Sequence, residues 1–180
     1  ITKVDKDDNN KKLDGAVFEL IKDEKVVQTS EPTVNGVTKF TRLKFDVDYH
    51  IKEIKAPKGY VLDGTKDTLV NIKKDTTIPA NNVKKINIIN EKIKKDIKFK
   101  KEDSDGQPIK GTEFKLYLAS DTFFSDPKGT AVSDENGFVL FKDIAVDPSK
   151  SVEYEIKETK TPTGYVTYAD KITATIAPDG

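Results

Sequence analysis

The sequence predicts an all-β protein built as two tandem sandwich domains. Three observations carry that prediction. Apolar residues alternate with polar ones over short runs bounded by Gly, Pro, Asn and Asp, and no stretch shows a helical period. A twelve-residue pattern occurs twice, as YHIKEIKAPKGY at 49–60 and YEIKETKTPTGY at 154–165. Finally, Asn-Gly turns recur at Asn35-Gly36 and Asn136-Gly137, in the same order relative to that pattern. A duplication within 180 residues gives domains at 1–92 and 93–180, each small but able to fold alone.

The elements follow in order. Each repeat opens on a strand that carries a lysine: alternation puts Ile1 and Lys3 on one face in the first copy, and Ile97, Phe99 and Lys101 on one face in the second. An acidic, polar turn leads to a strand around Phe18 or Phe114. The Asn-Gly turns are predicted to close hairpins, continuing into alternating runs that include Phe40 and Leu43, or Phe141 and Ile144. In the duplicated pattern Tyr49, Ile51 and Glu53 share a face, as do Tyr154, Ile156 and Glu158, before a Pro-x-Gly turn closed by tyrosine. The first repeat then runs through DTLVNIKKD to a last strand, KINIINEK, where Ile86, Ile88 and Asn90 line up. Only fifteen residues follow Tyr165, ending in a Pro-Asp-Gly turn, so the second sandwich is expected to lack its last strand in this sequence. EKIKKD at 91–96 reads as a short charged joint of limited freedom.

Spacing locates a difference between the copies. Glu53 and Glu158 lie 105 residues apart and Lys3 and Lys101 lie 98 apart, a net gain of seven in the second repeat. The loop ASDTFFSDPKG at 119–129 is the expected site of the gain. Phe123 and Phe124 there suit either packing over the sandwich edge or an adhesive tip.

Composition excludes several functions. Lys and Arg balance Asp and Glu at 31 each and are dispersed, which argues against nucleic acid as a partner. Without cysteine there is no disulfide framework, thiolate nucleophile or thiolate metal site. His50, the single histidine, falls on the solvent face of its strand, and no G-x-S-x-G occurs, so neither a metal centre nor Ser-His-Asp catalysis is expected. No apolar run reaches 18 residues, so no membrane insertion is expected in this segment. The sequence as given shows no export signal of its own.

Three polar residues stand out, because each takes a core-facing position at the end of an apolar series: Lys3, Glu53 and Asn90. If the first and last strands lie side by side and the glutamate strand faces them, the three side chains meet. Burial drives a lysine toward the neutral, nucleophilic amine and a glutamate toward the neutral acid. A protonated Glu53 would polarise the Asn90 carboxamide while Lys3 attacks, expelling ammonia and leaving an amide, with no cofactor and no metal. The same three residues also suit a buried ion pair beside a hydrogen-bonded asparagine. Lys101 and Glu158 repeat the lysine and glutamate, but no electrophile can be assigned in the second copy.

These residues resemble the Cna B-type domains of Gram-positive surface adhesins and sortase-assembled pilins. Y-x-I-K-E-x-K-x-P-x-G-Y is similar to the pilin E-box, and ITKVD at 1–5 and FKKED at 99–103 are similar to that family's first strand. The match spans nearly the whole chain. It implies Greek-key, transthyretin-like β-sandwiches in which lysine and asparagine (or aspartate) join in an intramolecular isopeptide bond assisted by glutamate. Lys3 is then the nucleophile, Asn90 the electrophile and Glu53 the autocatalytic residue, with Asn87 a weaker alternative because its side chain points to the other face. Lys101 and Glu158 are the candidates of the second domain. Ile54 stands where the E-box usually has threonine, and Thr161 where it has alanine. No LPxTG sorting signal or YPK linkage motif is found. The resemblance implies a structural stalk segment on a Gram-positive cell wall, outside the cell, with neighbouring domains of the same surface protein or pilus as partners. It implies no enzyme acting on external substrates. The other expectation is an adhesive module whose loops bind host extracellular protein or glycan.

Overall fold

A computed structural model describes residues 1–77 and 82–178. The terminal Pro-Asp-Gly turn read from the sequence extends to Asp179 and Gly180, outside the described residues. All regular structure among the described residues is β, and the chain divides into two compact units, Ile1–Lys92 and Ile93–Gly180.

In the first unit, β1 (Thr2–Asp5) and β6 (Asn87–Asn90) pair in parallel, while β2 (Val17–Lys22), β3 (Lys25–Thr29), β4 (Asp48–Lys55) and β5 (Asp67–Asn71) form an antiparallel sheet in the order β3-β2-β4-β5. The alternation expected of β4 holds: Tyr49, Ile51 and Glu53 are buried and their neighbours exposed. Tyr49 and Ile51 join Ala16, Phe18, Leu20 and Val70 in the core, with Ile1, Phe40, Leu43, Val47, Ile86 and Ile88 packed against it. His50 is exposed and sits 2.9 Å from Asp67 Oδ1, on the solvent side of the sheet.

The second unit repeats this plan. Its larger sheet has the order β12-β11-β8-β9, from β8 (Glu113–Leu118), β9 (Gly129–Val132), β11 (Val152–Lys160) and β12 (Ile172–Ile176). The smaller sheet pairs β7 (Lys94–Lys100) with β10 (Phe138–Ala145), antiparallel. Among the described residues no strand takes the place beside β7 that β6 takes beside β1. The added length lies where the spacing put it: ten residues (119–128) join β8 to β9, where Asp23 and Glu24 alone join β2 to β3.

The Asn-Gly turns depart from expectation. They do not close hairpins between registered strands; β9 pairs with β8, whereas β10 pairs with β7 in the other sheet. Each turn therefore carries the chain across the sandwich. Val34 and Val37 exchange a local pair of backbone bonds around Asn35 and Gly36, both at positive φ, and Val37 then bridges to Thr2. Glycine is required because the turn backs onto the lysine strand. A Cβ on Gly36 would lie 2.9 Å from the Lys3 carbonyl oxygen, and one on Gly137 would lie 2.4 Å from that of Lys101. The run containing Phe40 and Leu43, expected as a strand, packs on the core without forming one; the chain meets the start of the first strand at the Val37–Thr2 bridge and through reciprocal bonds between Ile1 and Thr38.

Candidate functional site: a buried lysine, glutamate and asparagine

Parallel pairing of β1 with β6 sets Lys3 opposite Ile88 and Asp5 opposite Asn90, so Lys3 and Asn90 are offset by two residues along the sheet. That offset is about 6.6 Å at the usual strand rise, a span that the four-carbon stem of a lysine can cover. The Lys3 ammonium nitrogen does reach Asn90 and lies against its Oδ1. From the facing sheet Glu53 Oε1 comes within 3.3 Å of the same nitrogen. Phe18, opposite Glu53 on β2, sets its ring 5.9 Å from Lys3 Nζ. Solvent is nearly absent: Lys3 is 0%, Asn90 6% and Glu53 7% exposed.

Burial decides the protonation states. It pulls Lys3 below the ordinary lysine value, only partly opposed by Glu53, and the nearby Lys66 charge adds to the fall. It pushes Glu53 above the ordinary carboxyl value against the opposing pull of Lys3, Asn90 and Lys66. Besides Lys3 Nζ at 3.3 Å, Glu53 Oε1 meets no hydrogen-bond donor among the described residues. The pair therefore tends toward a neutral amine beside a neutral acid. Asn90 Nδ2 donates to Val61 O at 3.0 Å, which turns the amide nitrogen away from Lys3. A cleft of about 190 Å³ lined by Glu53, Asp63, Lys66 and Asn90 adjoins the site. Asn87, the weaker electrophile, is exposed on the other face of β6, as alternation requires.

In the second unit Lys101 and Glu158 also meet, at 3.1 Å, with the Glu158 side chain fully buried. Their surroundings differ. Thr161 Oγ1 donates to Glu158 Oε1 at 2.8 Å, the Tyr168 N–H reaches Oε2 at 3.3 Å, and the Tyr168 ring lies 5.4 Å from Lys101 Nζ. No carboxamide is placed on Lys101 among the described residues. The departure at Thr161 thus supplies a hydroxyl to the carboxylate where the first copy has Ala56.

Sequence reasoning missed a second buried group beside the first site. Asp5 is fully buried at the end of β1. It accepts from the Asp7 N–H at 2.8 Å and the Tyr60 hydroxyl at 2.8 Å, and Lys92 Nζ stands 3.1 Å away. Burial alone would raise its pKa; these donors outweigh that and hold it down at about 2. The available signal was that Asp5 shares a face with Lys3. In the loop at 119–128, Phe124 packs edge-on against Tyr117 at 5.2 Å with Lys157 over its ring, whereas Phe123 is 89% exposed.

Two stacked-sheet units, each with a lysine at its first strand and a glutamate on the facing strand, define a class of tandem β-sandwich modules. Comparison with known families makes this specific: the SpaA prealbumin-like fold domain matches residues 1–86 and again 95–180, and the chain belongs to that family. Among solved structures it is similar to the Bacillus anthracis TIE protein, at 26% identity and a TM-score of 0.59 over 96% of this chain. The chain spans 30% of that protein's length. It also aligns with the pilus adhesin SpaC from Lactobacillus rhamnosus GG (18% identity, TM-score 0.49, 99% of this chain and 26% of that one). The third comparison is BcpA*(D312A), the major pilin subunit of Bacillus cereus (18% identity, TM-score 0.38, 98% and 94%). No curated protein matches the chain.

Proposed function

We propose that the chain is a structural stalk segment of a Gram-positive surface adhesin or pilin, whose first domain is locked by a self-made Lys3–Asn90 isopeptide bond. The observation that carries this reading is the convergence of Lys3, Glu53 and Asn90 in one solvent-free site with the amine and the acid both driven toward neutrality. Neutral Lys3 Nζ attacks Cγ of Asn90. The Nζ–Cγ bond forms, the Cγ–Nδ2 bond breaks, and the proton given up by Nζ passes through the Glu53 carboxyl to the departing nitrogen, which leaves as ammonia. Contact between the reactants supplies the effective molarity that a poorly electrophilic amide requires. The chemistry is intramolecular and occurs once, so the domain is not an enzyme in the ordinary sense.

A bond joining the first strand to the last passes tension across the domain with little chain left to extend. That suits an extracellular, cell-wall-anchored protein without cysteine, joined to neighbouring domains of the same surface protein or pilus. The alternative of host protein or glycan binding through the loop at 119–128 rests on Phe123 alone, and one exposed ring is ordinary surface. Intact mass under denaturing conditions tests the reading. The wild-type chain is expected to weigh one ammonia, about 17 Da, less than its sequence, with Lys3→Ala and Glu53→Ala each restoring the full mass. An unreduced wild-type mass would refute the crosslink.

A further inference from the structure

Lys3 and Asn90 lie 87 residues apart in sequence, and they meet only if β6 docks beside β1 in one register. β6 is four residues long and belongs to a two-stranded sheet, so its own ladder holds it weakly. The fixing comes from what surrounds its end. Lys6 N donates to Asn90 O at 2.9 Å, Val61 N donates to Glu91 O at 2.9 Å, and Tyr60 bridges Lys92. The chain leaving β6 therefore runs between the end of β1 and the turn that closes the E-box. One carboxylate ties these three pieces together: Asp5, two residues beyond Lys3, takes the Tyr60 hydroxyl and Lys92 on the same oxygen, Oδ2. Lys92 is itself two residues beyond Asn90.

We infer that the buried Asp5–Tyr60–Lys92 cluster is the latch that seats the last strand for crosslinking, making Asp5 and Tyr60 positioning residues for the Lys3–Asn90 bond. The inference rests on the reading proposed above. Through the Tyr60 hydroxyl, the segment that follows Glu53 is fixed to the strand that carries Lys3; through Lys92, the segment that follows Asn90 is fixed to the same point. All three reacting side chains are thereby referred to one buried carboxylate.

The second domain supplies the contrast. Its corresponding aspartate, Asp103, is turned to its own loop, accepting from the Asp105 and Gln107 N–H groups at 2.9 Å each. Its corresponding tyrosine, Tyr165, is 44% exposed. The latch is thus assembled in the domain that has the last strand in place.

The test follows crosslinking in full chain freshly made by cell-free translation, reading the loss of about 17 Da by intact mass against time while circular dichroism reports the folded fraction. Tyr60→Phe keeps the ring and removes only the hydroxyl. It is expected to fold and to crosslink about tenfold more slowly or worse, as small misplacements of reacting groups do, while Tyr165→Phe keeps the wild-type rate. Added sucrose, which favours the compact state, separates positioning from stability. A slow Tyr60→Phe rate unchanged by sucrose supports the latch; a rate that sucrose restores, or one equal to wild type from the start, overturns it. Should Tyr60→Phe not fold, Lys92→Ala, which leaves the tyrosine–carboxylate bond in place, gives the same readings with the same meaning. Wild-type chain that never loses ammonia overturns the proposed function and the latch with it, whereas wild-type crosslinking with Tyr60→Phe at full rate overturns the latch alone.

Discussion

Lys3–Glu53 and Lys101–Glu158 are the same two residue types on corresponding strands of two copies of one fold, at 3.3 and 3.1 Å, yet they sit in different company. Glu158 receives a threonine hydroxyl and a backbone N–H in addition to its lysine, so both carboxylate oxygens have donors. Among the described residues Glu53 Oε1 meets only Lys3, at 3.3 Å, and that lysine also lies against a carboxamide. Donors to a carboxylate stabilise its charged form, whereas burial favours the acid, and for Glu53 burial outweighs the pull of Lys3 and Asn90. On the proposed reading, the Lys–Glu pair alone does not suffice for crosslinking; an electrophile must also stand across from the amine, as Asn90 does from Lys3.

Three substitutions sharpen or break this contrast. The largest effect belongs to Glu53→Gln. If the first domain carries the proposed crosslink, its loss is expected to cost about 4 to 5 kcal/mol, the chain-entropy value for closing a loop of this length when an amide link behaves as a disulfide does. Hydrogen exchange read by mass spectrometry should show lowered protection confined to residues 1–92, and equal losses in both domains would break the contrast. Next comes Lys101→Ala, which leaves a buried carboxylate with two donors and no cation. A loss of about 2 kcal/mol is expected, below the range for wholly buried pairs because the Lys101 side chain is 15% exposed, and the intact mass should change only by the substitution itself. The smallest is Thr161→Ala. It removes one neutral hydrogen bond to Glu158 Oε1, at a cost of about 1 kcal/mol in denaturant unfolding of the second domain. A cost near zero would mean that the hydroxyl does not hold that carboxylate.

The difference between local and long-range information explains what could be read in advance. Strand alternation is local, and it was enough to put Tyr49, Ile51 and Glu53 on the buried face of β4 and to leave His50 in solvent. The seven-residue gain was equally visible, since insertions collect where a two-residue turn can become a loop. Asn35-Gly36 shows the limit. The dipeptide encodes a tight turn at positive φ, which forms, but which strand accepts the emerging chain depends on Lys3 lying behind it. Lys92 is a sharper case: within EKIKKD it reads as one more solvated charge, and only the fold brings it to Asp5. Tyr60 closed a turn in the sequence; that its hydroxyl meets a carboxylate 55 residues earlier had no local signal. Thr161 departs from the E-box pattern, and its bond to Glu158 gives that departure a physical role.

The parallel pairing of β1 with β6 would also fix when the proposed crosslink can begin to form. Lys3 is made near the start of its domain and Asn90 near the end, and at 5 to 20 residues per second the interval between them is about 4 to 17 seconds. Throughout that time Lys3 is in water, where an amine of ordinary basicity is protonated and inert toward amides. On the proposed reading, β6 brings Asn90 against Lys3 and completes a site in which the amine is buried. A half-made domain would then be harmless to itself and to its neighbours, because the proposed electrophile is carried by the strand that reaches Lys3 last.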